Sequence, residues 1–166
     1  MKTLGMLTII CLTASIMMVN FILIIPKFGS KHFGAPDDIK AMMSKLPDKP
    51  IWVNIFGGLI MILGLLTIAA VLVWAIVDTV KFSLTFQQAF VRFLILFEGY
   101  KLFDIIFFDY LMLTKLKLPT KVYPETVGAK GYDSFGFNAK SQVAKIIIFF
   151  FFIIFCSFFD YFFFCF

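Results

Sequence analysis

Five ionisable residues, Arg92, Glu98, Lys101, Asp104 and Asp109, fall inside one otherwise apolar stretch of a 166-residue chain. Such groups near the middle of a bilayer cost about 2.5–3.5 kcal/mol each on insertion scales, so they call for partners or a wet cavity. At 100° per residue, measured from Glu98, Lys101 falls at about 300°, Asp104 at about 240° and Asp109 at about 20°. These four share an arc of about 140°, which predicts one charged side turned towards a helix-bundle interior. Arg92, at about 120°, lies off the arc and nearer one end, where it can snorkel to the surface. Glu98 and Asp109 are separated by about 16 Å along a helix axis. Lys101 is three residues from both Glu98 and Asp104, close enough for local ion pairs. The arc carries one positive and three negative groups, a balance that favours a cation or a proton. Two readings follow. Either the arc is an intramembrane site for an ion, a proton or a polar headgroup, or its ion pairs fasten the helix to its neighbours.

Other polar residues stand in apolar surroundings at similar depths. Asn20 and Asn54 are expected near the level of Asp109, and Asp160 near the level of Arg92 and Glu98. A pair between Asp160 and Arg92 is expected, with Asp78 and Lys81 close to the same surface. No catalytic constellation accompanies them. His32 is a lone loop histidine and is assigned no role. Cys11, Cys156 and Cys165 lie in apolar segments with no CxxC and no Cys/His pair, so they read as small apolar fillers, with no metal site and no cofactor.

The elements that must carry these residues follow from composition. Hydrophobic residues make up 61% of the chain and charged residues only 15%, against about 25% charged in a typical soluble domain. No charge interrupts the stretch between Lys2 and Lys27 or that between Lys49 and Asp78, and about 20 apolar residues suffice to span a bilayer as a helix. Four spans are predicted, at about 4–25, 51–77, 89–114 and 143–166. The first is read as a span and not a cleavable signal, because its apolar run continues through Met17, Met18, Phe21 and Ile25. The fold class is therefore all-α: a single domain over 1–166, built as an integral membrane four-helix bundle.

Between the first two spans, Ile39, Met42, Met43 and Leu46 fall at i, i+3, i+4 and i+7. This spacing predicts a short amphipathic helix over 36–46, lying in the membrane interface. Asp37 and Asp38 suit its positive N-terminal end. The loop before the last span holds Tyr123, Tyr132, Phe135 and several glycines. It lacks the strand and spacing of a phosphate loop, so its aromatics read as interface anchors. Trp52 and Trp74 stand near the two ends of the second span for the same reason. Gly57, Gly58 and Gly64 allow close helix approach.

The 14 lysines settle the expected orientation. Eleven basic residues flank the first and third loops, against Lys2, Lys81 and Arg92 on the other side. By the positive-inside rule these two loops are cytoplasmic and both termini lie outside. The abundance of Lys, Phe and Ile fits a low-GC genome, and a bacterial plasma membrane is the expected location. The net charge of +5 is thereby explained without nucleic acid. The expected partner is the lipid bilayer, with a homo-oligomer or a larger membrane complex beside it. Three function classes remain: binding or transport of a cation, proton or amphipathic solute through the acidic third span; an accessory subunit of a membrane complex; and, ranked below both, a lipid-modifying enzyme limited to carboxylate chemistry.

Overall fold

In the computed structural model the described residues are 2–32 and 35–164, with side chains described as far as 158. Asp160 and Cys165, singled out above, therefore lie outside the described side chains. Seven α-helices occur among the described residues: α1 (Lys2–Leu23), α2 (Pro26–His32), α3 (Asp37–Ser44), α4 (Ile51–Lys81), α5 (Phe86–Phe103), α6 (Leu118–Val122) and α7 (Ala139–Phe164). A π-helical segment, Asp104–Lys115, continues directly from α5, and short 3-10 turns form at Pro124–Thr126 and Lys130–Asp133.

Three helices are long and apolar enough to cross a membrane: α1, α4 and, over Ala139–Phe158, α7, with mean hydropathies of 2.3, 2.8 and 2.2. Length and composition carry that statement. Their large side chains, such as Leu12, Ile16, Leu63, Leu66, Phe151 and Phe155, are exposed; in water that surface would be costly, and in lipid it is not. The stretch from α5 through the π segment does not reach the same standard, because its charges interrupt it.

The chain divides into two compact units, which are taken in turn. The first comprises 1–13, 65–103 and 140–166. Its core draws Met6 and Ile10 from α1, Val71 and Ala75 from α4, Ala89, Phe93 and Leu96 from α5, and Ile153 from α7. Aromatic edges close it, with Phe90 meeting Phe150 and Phe97 meeting Phe152 in T-shaped pairs at 6.0 and 5.5 Å. Gly99 lets α5 come close to α1: a Cβ there would stand 3.1 Å from Leu7 Cδ2.

The second unit comprises 14–64 and 104–139. Here α1 and α4 touch at Gly57, where a Cβ would stand 2.6 Å from Ile25 Cγ2. Asn20 Nδ2 donates to the Gly57 carbonyl at 3.0 Å. The first span, expected to end at about residue 25, is followed at once by a new helix at Pro26. The Asn20 carbonyl accepts from both Ile24 N and Ile25 N, which unwinds the end of α1, and α2 starts at once with Pro26, whose missing N–H suits a first turn.

The amphipathic helix predicted in the first loop is α3, but its apolar stripe faces protein. Ile39, Met43 and Leu46 pack with Ala129 and Tyr132 of the later loop. Asp38 fixes this arrangement: one carboxylate oxygen accepts from Ile39 N at 2.9 Å and the other from Gly131 N at 2.8 Å. Pro36 and Asp38 occupy the space a side chain at 131 would need, so that position requires glycine. Tyr132 is fully buried beneath α3, and its hydroxyl donates to Thr126 Oγ1 at 3.0 Å. Burial pushes the Tyr132 hydroxyl above its usual pKa, with the Asp38 charge adding to the rise against the Thr126 hydrogen bond.

Candidate functional site

The charged residues predicted on one arc are divided between the two units. Glu98 and Lys101 belong to the first, Asp104 and Asp109 to the second. The assumption of 100° per residue fails after Phe103, because from Asp104 the backbone is bonded i→i+5, as at Leu116 N to Leu111 O, 2.8 Å. Such a ladder turns less per residue than an α-helix, so the angle derived for Asp109 does not carry across that point. Lys101 is buried, and Lys101, Asp104 and Asp109 are each engaged with neighbours. Glu98 is half-buried, and its Oε1 lacks a hydrogen-bond partner among the described residues.

Within the first unit the strongest ionic cluster centres on Asp78, which the sequence placed only near this surface. Its Oδ1 accepts from Lys2 Nζ at 2.9 Å, and Arg92 Nη1 approaches its Oδ2 at the same distance. The Arg92 approach is a charge contact and lacks the angle of a hydrogen bond. Arg92 donates instead to Thr79 Oγ1 at 3.2 Å and to the Ala75 carbonyl at 3.4 Å. Arg92 is thus matched by Asp78, and the expected pair with Asp160 lies outside the described side chains. Lys2 also lies over the Phe82 ring, 4.1 Å from its centroid. The cluster ties the start of α1, the end of α4 and the start of α5 together. Its two cations and one anion face one another.

The second unit contains a cavity of 90 Å³ at the π segment. Its walls come from the end of α1, from α2 and α3, and from Phe108, Asp109, Met112 and Leu113. Asp109 is the only ionisable residue lining it among the described residues, and Ser30 the only hydroxyl. Asp109 is held in place: its Oδ2 accepts from Asn138 Nδ2 at 3.3 Å, and its own carbonyl accepts from Thr114 Oγ1 at 2.8 Å. That second bond spans five residues, which the i→i+5 geometry of the segment allows. Asn20 lies in the same unit but is committed to Gly57, and Asn54 Nδ2 bonds the Lys49 carbonyl at 3.3 Å. Neither of them lines the cavity.

The cavity's apolar walls have no signature in the sequence, since they come from α1, α2, α3, the π segment and Pro119 of α6, which are far apart along the chain. Chemically, the lining sets one carboxylate, itself engaged with neighbours, among apolar walls. Among the described residues no three of His, Cys, Asp and Glu gather as a metal site. Neither a protein-family model, nor a curated protein, nor a solved structure matches this chain.

Proposed function

We propose that this chain is a four-span membrane protein that binds an amphipathic solute in the cavity beside Asp109. The carrying observation is that, among the described residues, Asp109 is the one ionisable side chain lining an otherwise apolar cavity of 90 Å³, a pairing suited to a ligand with a charged head and a hydrophobic body.

The four-span topology has its own support. The first loop and the loop before α7 touch directly, through Gly131 N and Asp38 Oδ2 at 2.8 Å. Loops in contact lie on the same side of a membrane. An even number of crossings must then separate them, and α4 supplies one. The stretch from α5 through the π segment supplies the other. Lys2 and Phe82 also meet, as one crossing each by α1 and α4 would allow. The basic residues of the two touching loops put them in the cytoplasm, with both termini outside.

Photolabelling tests the binding reading. A diazirine-bearing alkyl chain with a charged head should label the π segment and the junction of α1 and α2, and the label should fall when Ala35→Phe fills the cavity. Label confined to the lipid-facing surfaces of α4 and α7 refutes the reading.

A further inference from the structure

The short helix α6 is pinned at the level where α1 ends and α4 begins. The carbonyl of Leu23, the last residue of α1, accepts from Lys49 Nζ at 2.6 Å and from the Tyr123 hydroxyl at 3.5 Å. Lys49 directly precedes Pro50 and the start of α4, and its ammonium lies 5.9 Å from the centre of the Tyr123 ring. Tyr123 is the C-cap residue of α6. The end of α6 is thereby fastened to the ends of two helices long and apolar enough to cross a membrane. A helix of 5 residues extends about 8 Å, and a headgroup layer is about 5–8 Å deep. The whole of α6 therefore stays within reach of the headgroups.

The charges of this second unit can be weighed in full, because its undescribed residues, Phe33 and Gly34, carry none. Lys27 is matched by Asp48 at 2.6 Å, Lys40 by Asp37 at 3.0 Å and Lys117 by Asp133 at 2.6 Å. Asp38 accepts from two backbone N–H groups, and Asp104 and Asp109 are engaged with neighbours. Lys115 ends the π segment and Lys121 lies in the last turn of α6; both are exposed and form no ion pair among the described residues. Glu125, the next carboxylate along the chain, is exposed and bridges to neither. Beside these lysines Leu116 is 41% and Val122 39% exposed, while Pro119 turns inward and is buried.

Exposed ammonium groups and exposed apolar side chains thus alternate over 115–122, at headgroup level. From this we infer that residues 115–122 dock phospholipids with anionic headgroups in preference to zwitterionic ones. Lys115 and Lys121 donate to the lipid phosphate, and Leu116 and Val122 rest among the first acyl carbons. A phosphatidylcholine head carries its own cation, which offsets the attraction of its phosphate for lysine. A phosphatidylglycerol head keeps its net negative charge. Each lysine near such a surface is worth about fivefold in affinity. Lipid docking here is independent of solute binding beside Asp109.

The test is photolabelling of the whole protein in phosphatidylcholine nanodiscs holding a trace of phosphatidylglycerol with a diazirine near the head of one acyl chain. The exposed stretch 147–155 of α7 is the internal reference for ordinary lipid contact. Peptides covering 115–122 should carry at least tenfold more label than the reference. The same diazirine on phosphatidylcholine should show no such excess. Lys115→Gln and Lys121→Gln should each lower the label at 115–122 about fivefold, and the double variant should fall to the reference level. Lys130→Gln removes an equal charge from the turn against α3 and should change the label less than twofold. Circular dichroism of each variant guards against a misfolded chain.

An equal excess with the phosphatidylcholine probe overturns the preference for anionic heads. Loss of label in Lys130→Gln as large as in Lys121→Gln replaces the local site by the general charge of the loops, and overturns it too. Label at 115–122 no higher than the reference also overturns it, and cross-links between copies at this segment would then assign the surface to a second copy.

Discussion

Replacing Asp78 should cost far more than replacing Lys2, although each contributes one end of the same 2.9 Å ion pair. The reason is burial. The Asp78 side chain is 6% exposed and that of Arg92 is 11%, whereas Lys2 is 55% exposed. Asp78→Asn leaves the Arg92 guanidinium buried, with only Thr79 Oγ1 and the Ala75 carbonyl near it. Breaking a buried pair on one side costs about 3 kcal/mol or more. Lys2→Met removes a half-exposed partner, worth at most about 1 kcal/mol. Unfolding in mixed dodecyl sulfate and maltoside micelles, followed by helical circular dichroism, measures both. The difference of about 2 kcal/mol corresponds to roughly a 30-fold gap in the unfolding constants. The double variant Asp78→Asn with Arg92→Leu removes the stranded charge and should recover most of the loss. The reasoning is refuted if Lys2→Met costs as much as Asp78→Asn, or if the double variant is as unstable as the sum of its parts.

Three further outcomes follow from other parts of the molecule. Gly57→Ala forces a Cβ to within 2.6 Å of Ile25 and should destabilise the protein by about 1–3 kcal/mol. Gly58→Ala meets nothing within 4 Å and should stabilise the helix by about 0.5–1 kcal/mol; thermal unfolding of the two variants measures both. The raised pKa of Tyr132 means the unfolded chain loses this proton first as pH rises. Its contribution is therefore whole below about pH 10 and is lost as pH climbs through the folded value, a slope that Tyr132→Phe should remove from pH-dependent unfolding curves. Val127→Cys, on an exposed side chain of the touching loops, should react with a membrane-impermeant maleimide only after permeabilisation, while alkaline phosphatase fused to the C-terminus is active; the reverse pattern inverts the orientation.

The long apolar runs were legible because charge-free stretches such as that between Lys49 and Asp78 have few other physical uses. The amphipathic stripe of α3 was legible from spacing alone, yet its destination was not. Periodicity shows that Ile39, Met43 and Leu46 share a face, and cannot tell lipid from Tyr132. The π segment is not legible in the sequence because nothing in 104–115 distinguishes an i→i+5 ladder from an α-helix by pattern. That change of pitch is what unsettled the predicted arc. Asp78 ends an apolar run, so the sequence marks it only as a boundary, while its partners come from 76 residues earlier and from the next helix. Asp109 was named from the sequence, but its surroundings are a product of tertiary contact.

The carboxylate of Asp38 makes a demand on time. Its second hydrogen-bond donor, Gly131 N, lies 93 residues further along the chain. At a translation rate of about 5–20 residues per second, the ribosome delivers that donor roughly 5–20 s after Asp38 itself. Through that interval Ile39, Met43 and Leu46 have no Tyr132 or Ala129 to rest against. Closure of this face therefore waits on the synthesis of residues 129–132, and a stalled chain ending before residue 131 would leave the apolar stripe of α3 without that cover.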